Sequence, residues 1–540
     1  MAWGHRATVC LVLLGLGLGL ATIVLAVGLS HHHASCGPEA FAHAAVAADS
    51  QICSDIGRAI LQQQGSPVDA TIAALICTGV ANPQSMGLGG GVIFTIYNAS
   101  TGKVEVINAR ETVPASHVQG LLDQCKDALP LGKAFPAHHR AAPRWFPRAL
   151  CLKPVPQQLP EALPVLINTE LFFNGTETLR SQDPFPWPAL ANTLETVATE
   201  GPEALYTGRL GRMLVEDIAK EGSQLTVQDL AAFQPEVVEP LELPLGNYTL
   251  YSPPPPAGGA VLSFILNVLK GFNFTAEMVA RPEEKVTIYH HLVETLKFAV
   301  GQRWRLWDPH SHPGIQNNSQ DLLGEALAHH IRQQIDGRGD HQPSHYNLSG
   351  VRANRMGTSH VSVLGEDGSA VAATSTINTP FGAMVYSPRT GILLNNELLD
   401  LCWRHEPGST ATPPPVPGER PPSSMVPSIL INKAEGSKLV IGGAGGELIT
   451  SAVAQTIMNK LWLGFDLTEA IAAPILHVNS KGRVEYEPKF NQEVQKGLQA
   501  RGQNESKRLF FLNAVQAVLQ EGPCVYAASD LRKAGRASGY

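Results

Sequence analysis

Hydrophobic and polar positions along the chain follow several rhythms, and each predicts a different element. Residues 8–29 run from Thr8 to Leu29 without a charge. A membrane-spanning helix needs about 20 such residues, whereas the apolar part of a cleaved signal peptide is about 7–15. Arg6 precedes the run and no Lys or Arg closely follows it. The positive-inside rule then leaves residues 1–7 in the cytosol and the bulk of the chain outside. Residues 30–45 read as a linker. Helical spacing begins near Ser54 and again from about Val68 to Thr78. Val92–Tyr97 and residues 103–108 read as strands that pair through a turn around Asn98–Gly102. The glycine loop Met86–Gly91 comes before a strand, the reverse of a phosphate-binding loop, so it signals tight backbone packing. Helical patterns return from about Pro186. Ser252–Gly259 is a stiff, extended turn into an apolar helix from Ala260. Residues 405–422, rich in Pro, Gly and Ser, read as a surface loop or lid. Residues 130–164 carry eight prolines among His and Arg and show neither periodicity.

Composition changes this picture little. The net charge of −7 over 540 residues argues against a nucleic-acid partner, which would want a basic face. No Cys-x-x-Cys or Cys/His spacing suggests a zinc site, and the His31–His33 run is read as solvated linker. Seven sequons, at Asn98, Asn174, Asn247, Asn273, Asn317, Asn347 and Asn504, agree with an extracellular glycoprotein held by one helix.

The chemistry is predicted to lie on a hairpin. Thr358–Leu364 alternates polar with apolar, and Ala370–Thr376 is small and β-branched. A three-residue loop Glu366–Gly368 between them puts Gly368 where a left-handed residue is wanted. If Gly365 faces Ser369, Thr358 faces Thr376, within reach of a hydroxyl–hydroxyl hydrogen bond. Facing threonines are usually a plain pair, but the preceding Gly357 changes that weighting. A Gly–Thr junction at a strand start suits attack of the Thr hydroxyl on its own carbonyl. The freed Thr358 then carries both a nucleophile and an α-amine base of pKa about 7.7–8.0. Further candidates are the glycine-ended strand Val440–Gly446 as an oxyanion hole, and Glu397 with Asp400, three apart, as holders of an ammonium. Ser423 and Ser424 offer hydroxyl donors, and Arg110 a carboxylate clamp.

Together the motifs Asn108-Ala-Arg-Glu-Thr112, Gly357-Thr-Ser-His360, Thr374-Ser-Thr-Ile-Asn378, Asn395-Asn-Glu-Leu-Leu-Asp400, Pro422-Ser-Ser-Met425, Gly443-Ala-Gly-Gly446 and Ala537-Ser-Gly-Tyr540 resemble the γ-glutamyl transferase family of N-terminal nucleophile hydrolases. The span and Asn378–Gly382 look closest to its leukotriene-cleaving members. The resemblance covers residues 40–130 and about 170–540. It implies an α+β fold, an αββα sandwich of two stacked antiparallel sheets. It implies self-cleavage at Gly357–Thr358 into a large chain (domain residues 46–357) and a small catalytic chain, 358–540. The roles it implies are Thr358 as nucleophile, Thr376 as its hydroxyl partner, and Gly445 and Gly446 as oxyanion hole. Arg110, Ser423 and Ser424 would hold the α-carboxylate of a γ-glutamyl group, and Asn378, Glu397 and Asp400 its α-amine. It further implies a Cys53–Cys77 disulfide, no metal or organic cofactor, and glutathione, its conjugates and leukotriene C4 as substrates, with water or dipeptides as acceptors. The expected location is the plasma membrane, type II, with the catalytic part outside.

One departure stands out. Residues 133–170 lack a Val-Pro-Gly-Glu segment and following helices of the family, and are shorter by roughly thirty residues, so apolar faces would be uncovered at about 25 cal/mol per Å². Two readings stay open: an active enzyme, or an uncleaved, non-catalytic surface or endoplasmic-reticulum-retained glycoprotein on the same fold.

Overall fold

A computed structural model describes residues 36–116, 186–313, 319–348, 357–404, 414–508 and 511–540, with two short strands at Phe173–Asn174 and Glu177–Thr178. The 8–29 span, the His31–His33 run, the segment 133–170, Asn317 and residues 405–413 lie outside the described residues. Among the described residues no helix is long and apolar enough to cross a membrane.

Two sheets organise the chain. In order, their strands are β1 (Ala45–Ala48), β2 (Gly91–Asn98), β3 (Lys103–Ala109), β4 (Glu236–Val238), β5 (Leu241–Leu245), β6 (Tyr248–Ser252), β7 (Ser359–Leu364), β8 (Ala370–Thr376), β9 (Ser428–Asn432), β10 (Ser437–Ala444), β11 (Ala514–Glu521), β12 (Cys524–Ser529) and β13 (Ser538–Gly539). The first sheet has the order β13-β1-β7-β8-β2-β3-β4 and the second β12-β11-β10-β9-β6-β5, antiparallel throughout. Helices α1 (Gln51–Gln62) and α2 (Pro67–Ala81) cover the first sheet. Helices α3 (Gly259–Lys270), α4 (Pro282–Gln302) and α5 (Leu448–Leu461) form the layer over the second. This is the four-layer sandwich expected.

Local chemistry explains the boundaries. Ser66 caps α2 and Asp69 answers it in a capping box, with Pro67 at the first helical position. Helix α3 is buried from Gly259 to Leu269, between sheet and α4, which is why it is apolar all round. The hairpin β7–β8 folds in the predicted register: Leu364 faces Ala370, Ser359 faces Ser375, and Gly365 N–H donates to Ser369 O at 2.9 Å. Gly368 has φ +80°, the left-handed turn position.

Strand β7 is buried on both faces. Val361 and Val363 pack toward α1 and α2, while Leu364 joins the apolar layer between the sheets. The polar positions on that inner face are satisfied within the sandwich: His360 Nδ1 lies 2.7 Å from Thr374 Oγ1, and Ser362 Oγ donates to Gln516 O at 3.1 Å. Burial pushes the His360 imidazole down to about 3, so it is neutral at pH 7. The implied Cys53–Cys77 disulfide is present and joins α1 to α2. A second one, Cys36–Cys524, fastens the entering chain to β12.

The Pro-rich 405–422 stretch requires correction as a surface feature. Its later part is buried: Glu419 is 1% and Arg420 4% exposed. Val113 N–H donates to Glu419 O, Gly418 N–H to Val113 O, and Ser423 N–H to Pro256 O. The segment is thereby strapped between the chain leaving β3 and the polyproline turn before α3. Those backbone bonds outweigh a composition that would otherwise favour solvent.

Candidate active site

Thr358 sits at the start of β7 on its inner face. Its Oγ1 lies 2.6 Å from the Gly357 carbonyl oxygen and 3.3 Å from Thr376 Oγ1. The Thr376 hydroxyl donates to that same carbonyl and accepts the Asn378 N–H at 2.9 Å. A Cβ at residue 357 would stand 2.6 Å from Asn378 O, so only glycine fits. Asn378 is held in a left-handed conformation, φ +76°, which turns its amide toward Asp400 Oδ1 at 3.2 Å. Thus the two threonines, the Gly357 carbonyl and Asn378 form one connected group.

The glycine-ended strand arrives at the same place. Lys438, near the beginning of β10, lies beside Gly368 at the hairpin tip, whereas Gly442 lies against the His360 ring. The strand therefore runs from the tip toward Thr358, and Gly445 and Gly446 follow at its end. They turn with φ +117° and +62° directly before α5. Their N–H groups stand near the positive end of that helix's dipole, where negative charge is favoured.

Arg110, 1% exposed just after β3, gathers Glu397, Asp400 and Ser423. Its Nη1 is 2.9 Å from Glu397 Oε2 and donates to Ser423 Oγ at 3.2 Å, and its Nη2 donates to Asp400 Oδ2 at 3.4 Å. Glu397 and Asp400 share a 3₁₀ turn, Glu397–Arg404. Gly91 N–H donates to Glu397 Oε1 at 2.8 Å. Burial, reinforced by the facing Glu111 and opposed by Arg110, drives the Glu397 carboxyl well above its ordinary value. Burial pulls the Arg110 guanidinium down, but Glu397, Glu111 and Asp400 outweigh it and hold Arg110 above its ordinary value.

Sequence reading missed three parts. Arg303, next to α4, donates to Ser424 Oγ at 2.6 Å and so fixes the second serine. Behind it lie Glu447, which accepts from Arg508, and His477, whose Nδ1 is 2.9 Å from Ser451 Oγ. Lys533 donates to the Thr358 carbonyl and to Asp49. None of these has a local pattern; each stands as a single polar or charged residue in the chain. Among the described residues no group of three or more His, Cys, Asp or Glu side chains could hold a metal.

Known proteins show the same arrangement of sequence. The family profile described as gamma-glutamyltranspeptidase matches residues 53–141 and 157–540. Glutathione hydrolase 5 proenzyme of Mus musculus is 78% identical over 573 aligned positions, covering 100% of both chains. The Homo sapiens protein of the same name is 71% identical, again over 100% of both. Among solved structures, cephalosporin acylase from Bacillus halodurans is 20% identical, with a TM-score of 0.73 over 93% of this chain and 96% of its own, which shows a shared fold. On the extent of the profile match and of these identities, the chain belongs to the γ-glutamyltranspeptidase family.

Proposed function

We propose that the chain is a γ-glutamyl hydrolase and transferase acting on glutathione, its conjugates and leukotriene C4 through Thr358, after self-cleavage at Gly357–Thr358. The observation that carries this reading is the Thr358 hydroxyl set against the Gly357 carbonyl, with Thr376 donating to that oxygen. Its relatives' name, glutathione hydrolase, supports the substrate class.

In maturation, Thr358 Oγ1 attacks the Gly357 carbonyl carbon while the Thr376 hydroxyl stabilises the developing oxyanion. The C–N bond breaks, its nitrogen takes the hydroxyl proton, and an ester links Gly357 to Thr358 Oγ1. Water then hydrolyses the ester, leaving a Gly357 carboxylate and a free Thr358 amine. The chain becomes a large part, 1–357, and a small part, 358–540.

In turnover, the Thr358 hydroxyl attacks the γ-carbonyl and its amine accepts the proton. Gly445 and Gly446 N–H groups receive the oxyanion, an interaction worth several kcal/mol of barrier, roughly 3–4 per donor. The leaving amine, cysteinylglycine from glutathione, takes the proton and departs. The γ-glutamyl ester is then resolved by water or by an acceptor amine. Arg110, Ser423 and Ser424 hold the glutamyl α-carboxylate, and Asn378, Glu397 and Asp400 its ammonium. A bound zwitterion replaces each half of the Arg110–Glu397/Asp400 pairing with a group of the same charge, so no buried charge is left unpaired.

We further propose a type II plasma-membrane protein anchored by residues 8–29 with the catalytic part outside. The described sequon residues Asn98, Asn247, Asn273, Asn347 and Asn504 are all exposed, which fits glycosylation. A second reading, an uncleaved glycoprotein, is favoured by one observation. The Mus musculus alignment spans 573 positions against 540 residues here, and the family profile breaks between 141 and 157.

Denaturing electrophoresis of the deglycosylated protein decides between the two. Two fragments meeting at Thr358 are expected, with glutamate released from glutathione and leukotriene C4. Thr358→Ala should give one band and no release. A single full-length band from the parent, without turnover, overturns the enzymatic reading.

A further inference from the structure

Lys533 touches the nucleophile's own residue, yet it belongs to none of the groups that grip substrate. It lies in the 3₁₀ turn Leu531–Lys533, after β12, and is 6% exposed. Its Nζ donates to the Thr358 carbonyl oxygen and to Asp49 Oδ2, the latter at 2.8 Å. Asp49 follows β1, is 1% exposed, and also accepts from the Gln516 side chain. Gln516 Oε1 in turn accepts the Asp530 N–H at 2.7 Å. The ammonium is therefore fixed from both sides, by β1 and by the turn that carries it.

We propose that Lys533 is a positioning residue that orients the Thr358 amine and biases it to the neutral, proton-accepting form. The inference rests on Thr358 being the N-terminal nucleophile. In the cleaved chain the amine is three bonds from the carbonyl oxygen that Lys533 holds, which brings it within about 6 Å of the ammonium. A like charge at that range disfavours the protonated amine. An unperturbed α-amine, at about 7.7–8.0, is mostly protonated at pH 7 and is a poor base there. Fixing the carbonyl also fixes the rotation about the bond that aims the amine at Oγ1.

The other titratable groups around β7 do not compete. His360, on the strand itself, is held neutral by burial. Neighbouring β1 and β8 carry none within their spans. Across the sandwich, Lys438 of β10 lies beside Gly368 at the hairpin tip, and Glu521 ends β11 at the turn into β12. Asp69 of α2 is two residues from Pro67, which touches Gly365 at the same tip. The Arg110–Glu397–Asp400 cluster, with Glu111, stands beyond Asn378. On the turn that carries Lys533, Asp530 pairs with Arg532 at 2.9 Å, and Arg532 also pairs with Glu487. On α1, Asp55 accepts from Ser538 and pairs with Arg58. Asp49 is paired directly with Lys533 and acts through it.

The test is the pH dependence of kcat/KM for glutathione hydrolysis by full-length parent, Lys533→Met, Lys533→Arg and Asp49→Asn. The acid limb of this profile reports the base in the free enzyme. Lys533→Met should move that limb upward by roughly half a pH unit or more and lower kcat about tenfold, with KM changed less than about threefold. Lys533→Arg should keep the limb near the parental position, and Asp49→Asn should move it downward, because an anion is removed. A merely structural role would not move the limb in opposite directions. An active parent whose limb is unmoved in Lys533→Met overturns the role of Lys533 alone. A parent that neither splits nor turns over overturns the Thr358 reading and this inference with it. Where Lys533→Met does not mature, a limb unmoved or raised in Asp49→Asn overturns the proposal.

Discussion

Ser423 and Ser424 are adjacent, yet each is held by a different arginine, Arg110 fully buried and Arg303 half-buried, in contrasting surroundings. Arg110 holds Ser423 while sitting among Glu397, Asp400 and Glu111, so that the surrounding carboxylates outweigh its burial. Arg303 donates to the Ser424 hydroxyl, and desolvation wins: it is pulled below its ordinary value despite Glu447 and Asp400. Glu447 already accepts from Arg508. In the first cluster the charges are paired with each other, and the proposed zwitterionic substrate would exchange with them. In the second, Arg303 fixes the hydroxyl of Ser424 and faces Glu447.

The contrast breaks first at Arg110. Arg110→Met leaves Glu397, Asp400 and Glu111 without their cation in a buried pocket and should cost about 3–5 kcal/mol of stability. The glutamyl carboxylate loses its bidentate partner at the same time, so kcat/KM for glutathione should fall by roughly a thousandfold, or about 4 kcal/mol. Arg110→Lys should not rescue, since a point charge cannot reach Glu397, Asp400 and Ser423 together. Thermal unfolding alongside kinetics checks this, and near-parental turnover in Arg110→Lys would falsify the clamp geometry.

How far these regions are legible in sequence follows the same division. The β7–β8 hairpin could be read to the residue, because two strands and a turn close together in the chain fix a register. The Thr358–Thr376 contact came from that count alone. Arg110 and Asp400 meet across 290 residues, a distance no local periodicity encodes; the ordered family motifs carried that part. Arg303 carried no signal, since a basic residue after a helix reads as an ordinary solvated end. The polar positions of β7 read only as part of an alternating strand, and nothing local showed that a second sheet covers them and supplies Gln516 as partner. The 405–422 composition likewise could not foretell that Glu419 and Arg420 would be strapped inward.

Arg303→Met should behave differently. An apolar chain of similar length suits a site where burial already disfavours the charge, so stability should change by less than about 1 kcal/mol in either direction. Ser424 then loses its orienting donor, and KM for glutathione should rise about tenfold, roughly 1.4 kcal/mol, with kcat nearly kept. A fall in kcat with KM unchanged would instead place Arg303 in the chemical step.

The smallest effect separates the two buried glutamates. Glu397 and Glu447 are both raised above the ordinary 4.5, chiefly by burial. A carboxyl raised in the fold binds more protons folded than unfolded, so its contribution to stability falls as pH rises from that ordinary value through the raised one. Only Glu397 faces Arg110 and the position proposed for the substrate ammonium. An arriving ammonium favours the ionised carboxylate, so binding should expel up to about one proton at mildly acidic pH. Calorimetry of glutamate binding to the cleaved parent, in two buffers of different ionisation enthalpy, measures that proton. Adding Glu397→Gln should remove the release, whereas adding Glu447→Gln should leave it intact. Equal loss in both would mean that the two clusters titrate as one unit, and that Arg303 belongs to the binding site after all.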